Sequence, residues 1–185
     1  MSTLTRHQQA MLAAWQQHTY AEFVLKDADA ALATMTENPY VFLISSGLGR
    51  AGRAAVREFY ANSFLPNIPP DLEITSISQT FGDDQIVEEM VMRFTHSIDM
   101  DWILPSVRPT GRRAEFVLTA IIQFEDGKVA HEHLYWDQAT LLFQMGVLDH
   151  PLAGAGVGSA GQLLKLRDLH KGRIGSTAAV LGEAR

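Results

Sequence analysis

The chain has 185 residues, with 15 Lys and Arg against 21 Asp and Glu, so its formal charge is −6. That length suits one domain, and 46% hydrophobic against 19% charged residues exclude a compositionally disordered chain. The acidic balance, with Arg112–Arg113 as the densest basic step, argues against a nucleic-acid surface, which needs clustered cations to meet phosphates. Cysteine is absent, which removes disulfides, thiolate nucleophiles and cysteine zinc sites together. No apolar run reaches the roughly 18 residues that span a bilayer, and the polar start Met1–Gln9 lacks the apolar centre of a signal peptide. The expectation is a cytoplasmic protein with neither nucleic-acid nor membrane partners.

From Leu4 to about Leu25 there is no Gly or Pro, and Met11, Trp15, His18 and Glu22 recur at spacings of three and four. They share one helical face of mixed polarity. Asp27 can cap a short helix over 28–35, ended by Asn38-Pro39. Tyr40 to Ile44 reads as a strand, and Gly47, Gly49 and Gly52 as a flexible loop. A helix follows from Ala54 to Phe64, with Val56, Phe59, Tyr60 and Phe64 as its buried stripe, until Pro66, Pro69 and Pro70 stop it. Glu73 to Trp136 reads as antiparallel sheet, with a long strand over 85–102, which must bend. Glu125-Asp126-Gly127 turns the chain into a last strand over 128–136. Asp137 opens a helix over 138–145, closed by Gly146. The remainder, 149–185, is Gly- and Ala-rich, and reads as a partly mobile tail with a short helix near 162–169.

Helices followed by bent strands predict an α+β fold, the helices packed on one face of a curved antiparallel sheet. Such a cone encloses a pocket. Period-two alternation puts Met92, Phe94, His96, Ile98, Met100 and Trp102 on one apolar, inward face. In the last strand His131, His133, Tyr135 and Asp137 share a face opposite Glu132, Leu134 and Trp136. Spacing alone leaves two readings of that face: a solvated surface with Asp137 merely capping the next helix, or a pocket wall where an imidazole and a carboxylate exchange protons. If Glu132 and Trp136 point inward instead, a bulge has shifted the register and the acid/base role passes to Glu132. Trp15, His18, Tyr40, Phe42 and Tyr60 lie in elements that would cover the sheet, and are candidates to contact a ring-containing ligand. His131-x-His133 lacks a well-spaced third ligand, so no metal is assigned.

Three stretches, Pro109-Thr-Gly-Arg112, Glu125-Asp-Gly-Lys-Val129 and Tyr135-Trp-Asp-Gln-Ala-Thr-Leu-Leu-Phe-Gln-Met-Gly146, resemble the SnoaL-like polyketide cyclases. That family sits within the nuclear transport factor 2-like and ketosteroid isomerase-like superfamily. The resemblance covers roughly residues 5–148 and implies the cystatin-like cone. It also implies an aspartate acting as acid/base on an enolisable substrate, without metal or cofactor. The matching position is Asp137; a register slip selects Glu132 or His133. One departure is the run His131-Glu132-His133-Leu134, where family members often carry Glu-His-Trp.

These readings give one domain over 1–148 and a tail over 149–185. The expected function is a cofactor-independent cyclase or isomerase acting on a hydrophobic carbonyl compound. Asp137, His133 and His96 are its catalytic candidates; Tyr135, Trp15, His18, Tyr40, Phe42, Tyr60, Trp102 and Glu132 are its substrate contacts. The alternative is a non-catalytic ligand-binding or accessory dimerisation domain. Apolar residues on both faces of the sheet, such as Val117, Leu118, Ile121 and Ile122, predict a homodimer.

Overall fold

The computed structural model describes residues 4–149 and 158–169. Helix α1 (Arg6–Tyr20) starts from a capping box, in which Thr5 and Gln8 satisfy each other's backbone N–H groups. It runs on into a wider π-type segment, Ala21–Leu25. Asp27 caps α2 (Ala28–Ala33) by accepting from the amides of Asp29 and Ala30. Helix α3 (Arg53–Phe59) likewise ends in a π-type segment, Tyr60–Phe64, followed by a 3-10 turn, Leu65–Asn67.

Six strands, β1 (Met35–Leu43), β2 (Leu48–Ala51), β3 (Glu73–Phe81), β4 (Gln85–Thr95), β5 (Arg113–Glu125) and β6 (Lys128–Trp136), form one curved sheet. Their order is β2-β1-β6-β5-β4-β3. All neighbours are antiparallel except β1 and β6, which run parallel. Helices α1 to α3 cover one face, and the core lies between, with Met11, Leu32, Val56, Phe59, Phe94, Phe116 and Ile122 buried in one cluster. The α+β cone is the observed fold.

Several boundaries differ from expectation. Pro39 does not end α2; it sits inside β1, in the register break between Met35 and Tyr40 where no ladder pair forms, a place that tolerates its missing N–H. The glycine loop contains β2, with Gly49 so near the Phe42 ring that a Cβ there would lie 2.8 Å from its Cδ2. The long strand stops at Thr95 rather than Trp102. Beyond it the backbone folds into turns, where the Ile103 and Leu104 amides both donate to Met100, and Met100, Trp102, Ile103 and Leu104 remain buried.

Helix α4 (Gln138–Gln144) is capped by Asp137. Helix α5 (Ser159–Leu169) lies on the other face of the sheet, where Ala160, Leu163 and Leu164 pack on Ile77, Val91 and Val117. Part of that face is therefore covered from within the chain. The rest of the expected mobile tail, 150–157 and 170–185, lies outside the described residues.

Candidate functional site

The face of β6 settles which of its polar groups enter the core. Cross-strand partners share a face, and Glu132 pairs with Ile122, Leu134 with Ala120 and Trp136 with Leu118, all three β5 partners being buried. The register shifts between Gln123 and Phe124, which leaves Ala130 as an extra residue in β6. Glu132, Leu134 and Trp136 therefore face inward, and the expected wall of His133, Tyr135 and Asp137 does not form. His133 stands on the outer face, its Nε2 3.0 Å from the Tyr40 hydroxyl. Tyr40 stacks on His131 with ring centres 4.4 Å apart. Phe42 and Tyr135 lie on that same outer face, 38% and 39% exposed. Asp137 is exposed and serves α4 as its cap, accepting from the Ala139 and Thr140 amides.

His96 is buried and its Nδ1 lies 3.3 Å from the Thr110 hydroxyl. Among the described residues its Nε2 has no hydrogen-bond partner. Burial pushes its pKa down, against a smaller upward pull from Asp99. It shares no hydrogen bond or ring contact with the cluster described next.

Glu132 enters the core beside His18, Glu22 and Tyr60, all four almost fully buried. His18 Nε2 lies 3.1 Å from Glu132 Oε1 and 3.3 Å from Glu22 Oε1. The Tyr60 hydroxyl donates to Glu132 Oε1 at 3.1 Å and lies 3.3 Å from His18 Nε2. On the ring's far side, Thr34 donates its hydroxyl proton to the Ala31 carbonyl, so its oxygen accepts from His18 Nδ1–H at 2.6 Å. Both ring nitrogens are thus placed as donors. The Trp15 indole stacks on the imidazole at 5.6 Å and 15°, an arrangement that favours a cation. Its Nε1–H donates to buried Glu88 at 2.7 Å, and Ser76 donates to the other oxygen of Glu88 at 2.7 Å.

Burial by itself opposes charge on His18, but the adjacent carboxylates of Glu22 and Glu132 outweigh it and raise its pKa to about 10. Burial pushes the Glu22 carboxyl upward, partly offset by His18. Tyr60 is held neutral well above its usual range, first by burial and then by the same carboxylates. The cluster is an imidazole drawn toward its charged form between two buried carboxyl groups, with a neutral phenol alongside.

Four expected contact residues, Trp15, His18, Tyr60 and Glu132, converge here. Trp102 is one ring further out, its centre 5.0 Å from that of Phe64, which stands 5.8 Å from Tyr60. The sequence reading missed Glu22, Thr34, Glu88 and Ser76 as site residues. The available signal was His18 and Glu22 four apart on a face shared with Met11 and Trp15. Both π-type segments carry a cluster residue, Glu22 in one and Tyr60 in the other, and such widened turns are frequent at functional sites.

The sequence profile of the SnoaL-like domain matches residues 9–132, a span that includes all eight residues of this network. The chain belongs to the SnoaL-like domain family. No curated protein matches it by sequence. Among solved structures, this SnoaL-like chain is similar to a protein named as a SnoaL-like polyketide cyclase from Jannaschia sp. CCS1. The TM-score is 0.66 at 16% identity, covering 80% of this chain and 99% of the other. It is also similar to a nuclear transport factor 2-like protein from Burkholderia pseudomallei K96243, at TM-score 0.57 and 15% identity, with coverages of 74% and 97%. A third is SalBIII, an epoxide hydrolase/cyclase-like enzyme of pyran ring formation in the polyether salinomycin, at TM-score 0.53, 18% identity and coverages of 71% and 94%. At these identities the likeness speaks for the fold.

Proposed function

We propose that this SnoaL-like chain is a proton-transfer enzyme of the cyclase or isomerase type, acting without an organic cofactor on a hydrophobic small molecule that carries a carbonyl group. The observation that carries this reading is the buried His18 imidazole held between Glu22 and Glu132. A structural core has no need of three ionisable groups in contact, because apolar replacements are commonly as stable. Proton abstraction next to a carbonyl needs such a set: a desolvated carboxylate to accept the proton, and donors to meet the charge that develops on oxygen.

Glu132 is the base in this scheme. It takes the proton from the carbon, the electron pair moves onto the carbonyl oxygen, and Tyr60 and His18 donate to that oxygen. Glu22 remains as the counter-charge of His18, and Trp15 keeps the ring in place. The proton then returns to a different carbon; where the enolate carbon instead attacks a second carbonyl to close a ring, Glu132 hands the proton to the alkoxide formed there. The similarity to solved proteins named as cyclases supports the class. An open depression of about 510 Å³ is lined by Leu25, Lys26, Asp29, Arg57 and Ala61. Leu25 and Ala61 belong to the same π-type segments as Glu22 and Tyr60, but none of His18, Glu22, Tyr60 and Glu132 lines the depression.

The test is deuterium uptake from heavy water into hydrophobic cyclic ketones, followed by mass spectrometry. The wild type should exceed Glu132→Gln by about a hundredfold or more, the usual worth of a positioned general base. Equal rates in the two proteins would sink the proposal. Ligand-induced stabilisation without uptake would place the chain among non-catalytic binders.

A further inference from the structure

Two buried carboxylates share a single imidazole, and among the described residues no Lys or Arg forms an ion pair with either. We propose that His18 Nε2, Glu22 and Glu132 form a binding site for one first-row divalent transition-metal ion, with the Tyr60 hydroxyl at its edge. The ion would take the place of the Nε2 proton and engage Glu132, so the metal-bound cluster and the proton-transferring cluster are alternative states of one site.

The spacing is that of a ligand shell. Metal–nitrogen and metal–oxygen bonds of about 2.0–2.2 Å set neighbouring ligand atoms roughly 3.0–3.5 Å apart. The observed separations from His18 Nε2 are 3.1 Å to Glu132 and 3.3 Å each to Glu22 and the Tyr60 hydroxyl. The three ligand atoms lie within 4.8 Å of one another. An independent observation is the far side of the ring. His18 Nδ1–H is tied at 2.6 Å to Thr34, whose own proton is committed to Ala31. Metal-binding histidines are oriented by such a second partner, which fixes the tautomer and aims the other nitrogen. Two carboxylates and one imidazole suit zinc, manganese or ferrous ions better than magnesium or calcium, which prefer all-oxygen shells. His131 and His133 offer the rival site, on the outer face, with ring centres 4.9 Å apart.

The test uses the full chain, stripped with chelator and titrated with ZnCl2 by calorimetry, then with CoCl2 by visible absorption. One ion per chain is expected, with ligand-field bands for cobalt and no heat from MgCl2. Glu132→Gln and Glu22→Gln should each weaken zinc by at least about tenfold, whereas His131→Gln/His133→Gln should leave it unchanged. Should either cluster variant fail to fold, the wild type still decides, because zinc bound at a native site raises Tm. Absence of one-to-one zinc binding by the wild type would overturn the site. So would binding lost in His131→Gln/His133→Gln, or magnesium binding as tightly as zinc. Because the readout is the metal, its failure leaves the acid/base reading standing.

Discussion

Replacing His18 by Leu removes the one cation that Glu22 and Glu132 share, and leaves two carboxylates in the core. The structure gives the size of the loss. A pKa raised from 6.5 to about 10 means the fold prefers the charged ring to the neutral one by about 5 kcal/mol, at roughly 1.4 kcal/mol per tenfold. Removing one member of a buried ion pair independently suggests about 3–5 kcal/mol. Leucine fills much of the ring's volume, so only a small part of the loss comes from a cavity. The expected cost is therefore about 4 kcal/mol at pH 7, a large share of the roughly 5–15 kcal/mol that holds a domain together. Urea unfolding followed by tryptophan fluorescence measures it. With a slope of about 2 kcal/mol per molar, the midpoint should fall by about 2 M. Adding Glu22→Gln and Glu132→Gln to His18→Leu should recover at least half of the loss, because no buried charge then lacks its partner. A loss below about 1 kcal/mol in the single variant would refute the reasoning. A triple variant no more stable than the single would refute it equally.

The same cluster sets a pH dependence. His18 binds its proton more tightly in the fold than in the unfolded chain, so its contribution is full below pH 6.5 and fades as pH rises through about 10. Glu22, whose carboxyl burial pushes upward, adds stability only in its protonated form, at the acid end. The wild-type Tm should thus decline between pH 7 and 10, and a His18→Leu variant with the same slope there would contradict the assignment. Asp137→Ala should lose about 1 kcal/mol as a missing helix cap, while Asp137→Asn keeps both stability and deuterium uptake; loss of uptake in Asp137→Asn would return Asp137 to the chemistry. Phe42 and Tyr135 are both exposed on the outer face, so light scattering should give twice 20.5 kDa for the wild type and one chain's mass for Phe42→Asp. A monomeric wild type would end the homodimer expectation.

Much of the fold is written locally. Capping residues such as Asp27 and Asp137, the Gly146 stop, the Glu125–Gly127 turn and the alternation within β4 and β5 depend on neighbours a few residues away, so the chain in isolation displays them. Pro39 and residues 96–104 misled because their outcome depends on distant partners. Pro39 is tolerated only because the β1–β6 ladder breaks at that point, and the 96–104 segment buries its apolar residues through turns instead of a strand. The site divides the same way. Trp15, His18 and Glu22 share a helical face that spacing alone reveals. Which side of β6 meets that face is a question of phase, and period-two alternation cannot supply a phase. The register against β5 and the extra residue at Ala130 turned Glu132 inward and His133 outward. Sequence thus determined the cone and one wall of the cluster. Only tertiary pairing, by burying Glu132 opposite His18 and Tyr60 across 114 and 72 residues of chain, decided which carboxylate completes it.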